Sequence, residues 1–423
     1  MILRIFPVPR LKGKLELPSS KSYSIRAFII AACGGNSVVV NPSNCDDAIV
    51  AKNVAEALGA KTKKVRKNIY QIQSFQNPLK ISSINVKESG TVLRFLLPLL
   101  SLSDEKATVI GEGTLLKRPN FYLTQALREM NVNIRGRGKI ETVPIIKKGG
   151  RLRGGHVEID GSLSSQFISA LLIACPCLKE DTYLDVKGEK IVSQPYITMT
   201  RQILKMSGIQ IRQKSERSFF IKGNQRYKGL KKFVVPSDYG LAAFFLVAGA
   251  LVKSDLMLRG NLKKDFVQSD EKILEFLQQM GVRLIRTDDL IRICGPFQLK
   301  GGNFSLKDCP DLVPIMSIAA LFAQNQTRLY DIGHARAKES DRIGDLKNEL
   351  LKIGAVLSAR ADELIIDPQE NYRGNCLLDP HHDHRLAMAF CILGLKIPVR
   401  VKDIECTSKS YPDFIKDLKS VCR

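Results

Sequence analysis

Residues 238–252 read DYGLAAFFLVAGALV, with one charge, Asp238, at the very start. The run is longer than an ordinary strand, rich in Ala and Leu and apolar on every face, so it reads as a helix buried all round. Five other stretches share its texture: SYSIRAFIIAACGG (22–35), SGTVLRFLLPLLSL (89–102), SSQFISALLIACPCL (164–178), DLVPIMSIAALFAQN (311–325) and HDHRLAMAFCILGL (382–395). Their starts lie about 70 residues apart, so six such units account for the chain of 423 residues. A polar or small residue at each start suits an N-cap.

Between the apolar runs a second phrase recurs, an amphipathic helix that closes on a small residue and passes straight into an alternating strand. It appears around Gly59, Asn131, Gly208, Gly281 and Gly354, where Gly or Asn fits the left-handed residue that ends a helix. Strand pairs follow, as in LIRTDDLIRICG and VLSARADELIIDP. Each unit is therefore roughly βαβαββ, and six divide into two domains of three. Sister helices packed together would gather their N-termini at one end of each domain. Unpaired N–H groups and the macrodipole favour anions there.

The composition agrees with two packed domains. Hydrophobic residues make up 44% and charged residues 25%, which excludes disorder. Lys and Arg number 65 against 42 Asp and Glu, a net +23 that draws anions of any kind. The bases are spread along the chain and Trp is absent, so stacking platforms for nucleic acid are lacking and the charge reads as steering for small anions. The ten cysteines show no metal-ligand spacing and read as reduced thiols. The start MILRIFPVPRLKGK has no secretory apolar core, and the longest uncharged apolar stretch, Ala242 to Val252, is too short for a bilayer. A cytoplasmic monomer with no membrane or nucleic-acid partner is the expectation.

Chemistry gathers at the helix starts. Lys21, Ser22 and Arg26 open the first run, an anion cradle whose plain alternative is a capped helix with solvated bases. Ser89, Gly90 and Thr91 precede Arg94 in the second, and Gly90 allows close approach to the backbone. Ser164, Ser165 and Gln166 open the third.

The ordered set PSSKSYSIRA, SGTVLR, GEGTLLKRP, SLSSQF, VSQPY, CPDLVP, AKESDRI, HDHRLAM and CTSKSYPDF, running from Pro18 to Phe414, resembles the 5-enolpyruvylshikimate-3-phosphate synthase family of enolpyruvyl transferases. The resemblance implies an inside-out α/β barrel fold: two similar domains, each of three βαβαββ units with buried parallel helices covered by sheets. One domain is expected over 19–228, inserted into a second formed by 1–18 and 229–423, with the active site in the cleft between them and closure on binding.

By the same resemblance, shikimate 3-phosphate would be bound by Lys21, Ser22, Arg26, Ser164, Ser165, Gln166, Ser193, Tyr196, Asp311, His334 and Lys338. Phosphoenolpyruvate would be bound by Lys21, Gly90, Gln166, Arg118, Arg342, Arg385 and Lys409. Asp311 would handle the hydroxyl proton and Glu339 the carbon proton, with Lys21 as an additional carrier. No cofactor or metal is implied. The run His381, His382, Asp383, His384 has neighbouring positions that seldom converge on one ion, and no Cys or His pair completes a set.

The chain departs from the family pattern at Ile25, Glu88, Phe95 and His334, and its fourth run begins SDYGLAA in place of paired serines. Glu88 is unfavourable beside anions unless turned away or paired. Two other readings stand beside this one. The sister transferase acting on UDP-N-acetylglucosamine normally carries a Cys in the loop that here reads GEGTLLKRP, and a Lys-Asn pair where this chain has Lys21-Ser22. A basic RNA-binding or RNA-end-processing protein of similar units would be indifferent to phosphoenolpyruvate.

Overall fold

A computed structural model describes residues 1–74 and 81–423. All six apolar runs are helical: Lys21–Ala32, Gly90–Leu100, Ser165–Ala174, Tyr239–Leu251, Val313–Leu321 and His384–Gly394. Every residue of the Tyr239–Leu251 helix is buried. At about 1.5–3 kcal/mol for each large apolar side chain removed from water, these helices are the main source of stability.

Side chains cap four of the six. Ser20, Ser164, Asp238 and Asp383 accept from the backbone N–H of Tyr23, Gln166, Leu241 and Arg385. The first cap thus lies two residues before Ser22, and the last is Asp383 and not His382. Asp311, which opens the fifth run, caps nothing: it sits in a 3₁₀ turn, Pro310–Leu312, ahead of the helix. Its carboxylate is thereby available to side chains. The amphipathic helices close as the sequence implies, with positive φ at Gly59, Asn131, Gly208, Gly281 and Gly354.

The chain forms two compact units, one of residues 19–235 and one of residues 1–18 and 236–423. In the first, Gly155–Asp160 pairs in parallel with Thr182–Lys187, which is followed across the sheet by Ser218–Ile221 and Ile211–Ser215, both antiparallel. The strands Ser83–Asn85, Ala107–Ile110, Thr142–Gly149 and Asn133–Arg137 repeat that order. The earliest repeat lacks a leading strand of its own. Phe233–Val234 supplies it, pairing in parallel with Val39 and Val40. Residues 229–235, assigned to the other domain from sequence, therefore belong here, because the backbone of Val40 and the hydroxyl of Ser37 hold them.

In the other unit, Leu11–Glu16 pairs in parallel with Ser254–Arg259. The chain leaves between the leading strand of this repeat and its helix, and Asp238 N–H donates to Pro18 carbonyl at 2.9 Å where it returns. A second repeat comprises Asn303–Ser305, Thr327–Tyr330, Glu363–Asp367 and Val356–Ala359. In the last, Cys376–Leu378 pairs with Val399–Lys402, and Ile2–Ile5 forms the outer strand. The three buried helices of this unit pack on one another.

Lys and Arg are spread over both units, but the net positive charge is not evenly shared, because acids are fewer in residues 19–235. Residues 19–235 hold 35 Lys and Arg against 16 Asp and Glu, whereas the other unit holds 30 against 26. All ten cysteines are free thiols. Among the described residues, no helix is long and apolar enough to cross a membrane.

Candidate active site

In unit 19–235 the helix starts carry the polar groups that the sequence singled out. Lys21 is the first residue of its helix, and its ammonium lies 3.2 Å from Asp47, a buried carboxylate in the first turn of the next helix. Arg26 is 1% exposed. It donates from Nε to Thr200 Oγ1 at 2.8 Å, and from its terminal nitrogens to the carbonyls of Ser22 and Tyr196 at 3.1 and 3.3 Å. Burial, opposed by Tyr196 and Tyr23, lowers its pKa to about 10. Phe95, fully buried, lies under this guanidinium at 5.2 Å, which gives that departure a cation–π role. Ile25 is simply core.

Gly90 opens the second helix, and a Cβ there would meet Arg118 Nη1 at 2.6 Å. The space expected for a ligand is thus taken by the Arg118 side chain, itself 6% exposed. Glu88 is turned away from this helix start: its carboxylate accepts from Thr114 N–H at 2.9 Å and Thr114 Oγ1 at 2.8 Å. Gly113, at φ 54, makes room, since a Cβ would come within 2.3 Å of that carboxyl carbon. Glu88 therefore braces the loop that carries Arg118.

Ser164 caps the third helix and Gln166 lies in its first turn, with Ser165 buried between them. Arg94, passed over as a site residue in the sequence, joins them. It is 2% exposed and donates to Gln166 Oε1 at 2.6 Å and Ser164 Oγ at 3.4 Å. Ser193 holds φ 55 as it initiates the Gln194–Met206 helix, with Pro195 in its first turn, and Tyr196 is half-buried on that helix.

In the other unit, Asp311 lies between two arginines. Oδ1 accepts from Arg342 Nη1 at 2.8 Å and Oδ2 from Arg385 Nη2 at 3.0 Å. Glu339 Oε2 accepts from Arg342 Nη2 at 3.1 Å. Asp383, 0% exposed, accepts from Arg342 Nε at 2.8 Å while capping its own helix through Arg385 N–H. Arg385 donates to Gly240 carbonyl at 2.8 Å, so three helix starts meet at this point.

Burial opposes ionisation of Asp311, but Arg385, Arg342 and Lys338 outweigh it, against Glu339, and hold the carboxyl well below the usual range. Burial likewise works against charge on Arg342, yet Asp383, Asp311 and Glu339 raise its pKa well above the ordinary value. For Arg385 the same opposition is overcome by Asp311, Asp238 and Asp270. Asp311, Arg342 and Arg385 are consequently ionised at neutral pH.

His334 is buried in the turn Gly333–Ala337, and Lys409 is buried at the end of the Ile404–Lys409 turn, which packs against the His384–Gly394 helix. The departure at SDYGLAA has a local reason. Tyr239 turns its hydroxyl to Arg286 at 2.9 Å, and Gly240 leaves room for Asp270, whose Oδ2 lies 2.5 Å from where a Cβ would stand. The histidine run diverges: His381 faces Glu349 at 3.4 Å, His382 faces Asp403, and His384 is buried. Among the described residues, no group of three His, Cys, Asp or Glu is placed to hold a metal ion.

Sequence reasoning missed Asp47, Arg94, Asn120 and Thr200, and read Asp383 only as part of the histidine run. Asp383 had a signal in its N-cap position. Asp47 and Arg94 touch Lys21 and Gln166 across elements distant in sequence, whereas Thr200 bonds the Tyr196 carbonyl from within one helix and Asn120 the Arg118 carbonyl from two residues away.

Paired carboxylates among arginines, on repeats whose helix starts present donors, define a protein that handles anions and protons together. Solved structures share this architecture. An EPSP synthase from Acinetobacter baumannii superposes with a TM-score of 0.81 at 25% identity, over 100% of this chain and 98% of that one. The enolpyruvyl transferase NikO from Streptomyces tendae superposes at 0.77 with 17% identity, over 99% and 97%, so the fold is that of the enolpyruvyl transferases.

Sequence narrows this further. Residues 6–418 match the family described as EPSP synthase (3-phosphoshikimate 1-carboxyvinyltransferase). Relatives named 3-phosphoshikimate 1-carboxyvinyltransferase include one from Methanococcus maripaludis strain C7 at 33% identity, over 99% of this chain and 98% of the relative. Another, from Methanocaldococcus jannaschii, is 34% identical over the same shares. The chain belongs to the EPSP synthase family.

Proposed function

We propose that this protein transfers the enolpyruvyl group of phosphoenolpyruvate to the 5-hydroxyl of shikimate 3-phosphate, releasing phosphate, on the route to aromatic amino acids. A proton adds to the methylene carbon of phosphoenolpyruvate while the 5-hydroxyl, losing its own proton, bonds to the adjacent carbon. The resulting tetrahedral ketal phosphate then expels phosphate and loses a methyl proton. Acid and base are needed in both halves, and proton transfer by positioned side chains is worth about 10²–10⁴-fold in rate.

The observation that carries the reading is Asp311 held between Arg342 and Arg385, with Glu339 on the same guanidinium. The two arginines suit the carboxylate and phosphate of phosphoenolpyruvate. Those groups compete with Asp311 for the arginines, and each ion pair withdrawn lets its depressed pKa climb. Donor arrival thus turns Asp311 from a partner of the arginines into a base for the hydroxyl. Glu339, already beside Arg342, serves the carbon, and Lys338 and Lys21 add positive charge.

Ser22, Arg26, Ser164, Ser165, Gln166, Ser193 and Tyr196 serve the phosphate, carboxylate and hydroxyls of the acceptor, together with His334 and Lys338. Gly90, Arg118 and Lys409 join the arginines at the donor. All ten free thiols suit a reducing compartment, and the reading includes a monomer in the cytoplasm.

The test is phosphate release from phosphoenolpyruvate with and without shikimate 3-phosphate, with UDP-N-acetylglucosamine as the parallel acceptor. Release should require shikimate 3-phosphate. Glu339→Gln should bind that substrate as wild type does and lose turnover by about 10²-fold or more. Release only with the nucleotide sugar, or undiminished turnover in the variant, would sink the assignment.

A further inference from the structure

We infer that Arg94 sets the polarity of the acceptor-binding helix start: it turns Ser164 and Gln166 into hydrogen-bond donors, so that they take phosphate or carboxylate oxygens. The inference rests on the proposed function for the identity of the ligand but on geometry alone for the polarity. A guanidinium has donors and no acceptor. Facing Arg94 Nη1 at 2.6 Å, Gln166 has only its carbonyl to offer, and its NH₂ must point the other way. One of those N–H groups reaches Thr91 Oγ1 at 3.0 Å, and the second is left for a ligand.

Ser164 is constrained in the same sense. Its hydroxyl oxygen accepts from Gln166 N–H at 3.3 Å and from Arg94 Nη1 at 3.4 Å. With both lone pairs engaged, the hydroxyl proton is directed outward. Arg94 itself has little freedom. Its face lies over Phe167 at 4.9 Å, Nη2 donates to Pro119 carbonyl at 3.0 Å, and Nε donates to Asn120 Oδ1 at 3.3 Å.

Asn120 in turn donates to the carbonyls of Arg118 and Glu141 at 3.0 and 3.2 Å. The guanidinium that orients Gln166 is therefore also tied to the segment just behind Arg118. Arg94 is a positioning residue for both substrates' binding groups, and the donor polarity it imposes excludes a ligand group that must itself donate to Ser164 or Gln166.

The experiment is a double-mutant cycle in the full-length protein: Arg94→Met and Arg94→Lys, each alone and combined with Gln166→Ala. Shikimate 3-phosphate affinity and the melting temperature are read for every variant. Arg94→Met should weaken binding about tenfold, the usual scale for a lost charge-assisted bond. Gln166→Ala should cost about tenfold in the wild-type background and less than about twofold once Arg94 is gone, because an unoriented amide has little left to lose. Lys keeps the charge but cannot hold Gln166, Ser164, Pro119 and Asn120 together, so Arg94→Lys should restore stability without restoring affinity.

An unchanged dissociation constant in Arg94→Met, or an undiminished Gln166→Ala effect in that background, would overturn the inference. If Arg94→Met does not fold, Arg94→Lys carries the same cycle. Wild-type protein that neither binds shikimate 3-phosphate nor releases phosphate would remove the proposed function. The polarity claim would then be decided by the Gln166 side-chain amide in NMR, expected to show a slowly exchanging N–H in wild type and a fast one in Arg94→Lys. Equal exchange in both would refute it.

Discussion

Replacing Asp383 by Asn and by Ala separates two jobs held by one fully buried carboxylate. Oδ2 takes Arg342 Nε at 2.8 Å, and Oδ1 takes Arg385 N–H at 2.8 Å as the cap of the His384–Gly394 helix. Asn keeps an oxygen for the cap but turns an NH₂ towards Arg342 Nε–H, donor against donor. Removing one partner of a buried pair costs about 3–5 kcal/mol. Arg342 still holds Asp311 and Glu339, which places Asp383→Asn at the lower end, about 3 kcal/mol. Ala also loses the cap, about 1 kcal/mol more.

In a unit of this size each kcal/mol lowers the melting temperature by about 2–4 °C, so Asn should melt about 6–12 °C below wild type and Ala several degrees lower again. Phosphate release should fall about 10²-fold in both, the cost of a misplaced binding group. Thermal melts followed by circular dichroism, with the release assay alongside, measure this. An Asn variant within about 2 °C of wild type, or an Ala variant more stable than Asn, would refute the partition on which the magnitudes rest.

Gly90→Ala places a Cβ 2.6 Å from Arg118 Nη1. The Michaelis constant for phosphoenolpyruvate should rise about tenfold while shikimate 3-phosphate affinity and melting temperature stay near wild type, since a long side chain yields more easily than backbone. Glu88→Gln should be neutral because an amide oxygen still accepts from Thr114, whereas Glu88→Ala should cost about 1–3 kcal/mol and raise the same Michaelis constant; steady-state kinetics and melts distinguish them.

Asp311 has its folded pKa depressed well below the ordinary carboxylate value, so the unfolded chain binds the extra proton. Its contribution to stability is complete above the unfolded value of about 3.9 and disappears as pH falls towards the folded one. Asp311→Asn should therefore flatten the acid limb of a stability–pH curve below about pH 5. A limb as steep as wild type would count against the ion pairs.

The six helices were legible because their signal is local. A run such as 238–252 has no polar face to show water, so burial follows from composition and spacing alone. The closing residues were legible for the same reason: Gly59, Asn131, Gly208, Gly281 and Gly354 mark positions of positive φ that other residues adopt at a cost. The origin of the strand Phe233–Val234 was not. Two residues carry too little pattern to declare a pairing with Val39 and Val40, and the pairing is made across nearly the whole length of a unit.

The site divides in the same way. Which residue types stand at the helix starts, from Lys21 to Lys409, is written in the chain and in its ordered motifs. The sequence by itself determined the repeat, the fold class and the chemical inventory, because apolar period, caps and motif order act over a few residues. Only the tertiary structure decided the partners: Asp311 between Arg342 and Arg385, Glu88 on Thr114, and Arg94 on Gln166. Each is a contact between elements 26 or more residues apart, set by how buried helices pack, and a buried charge takes whichever opposite or neutral partner that packing brings within reach.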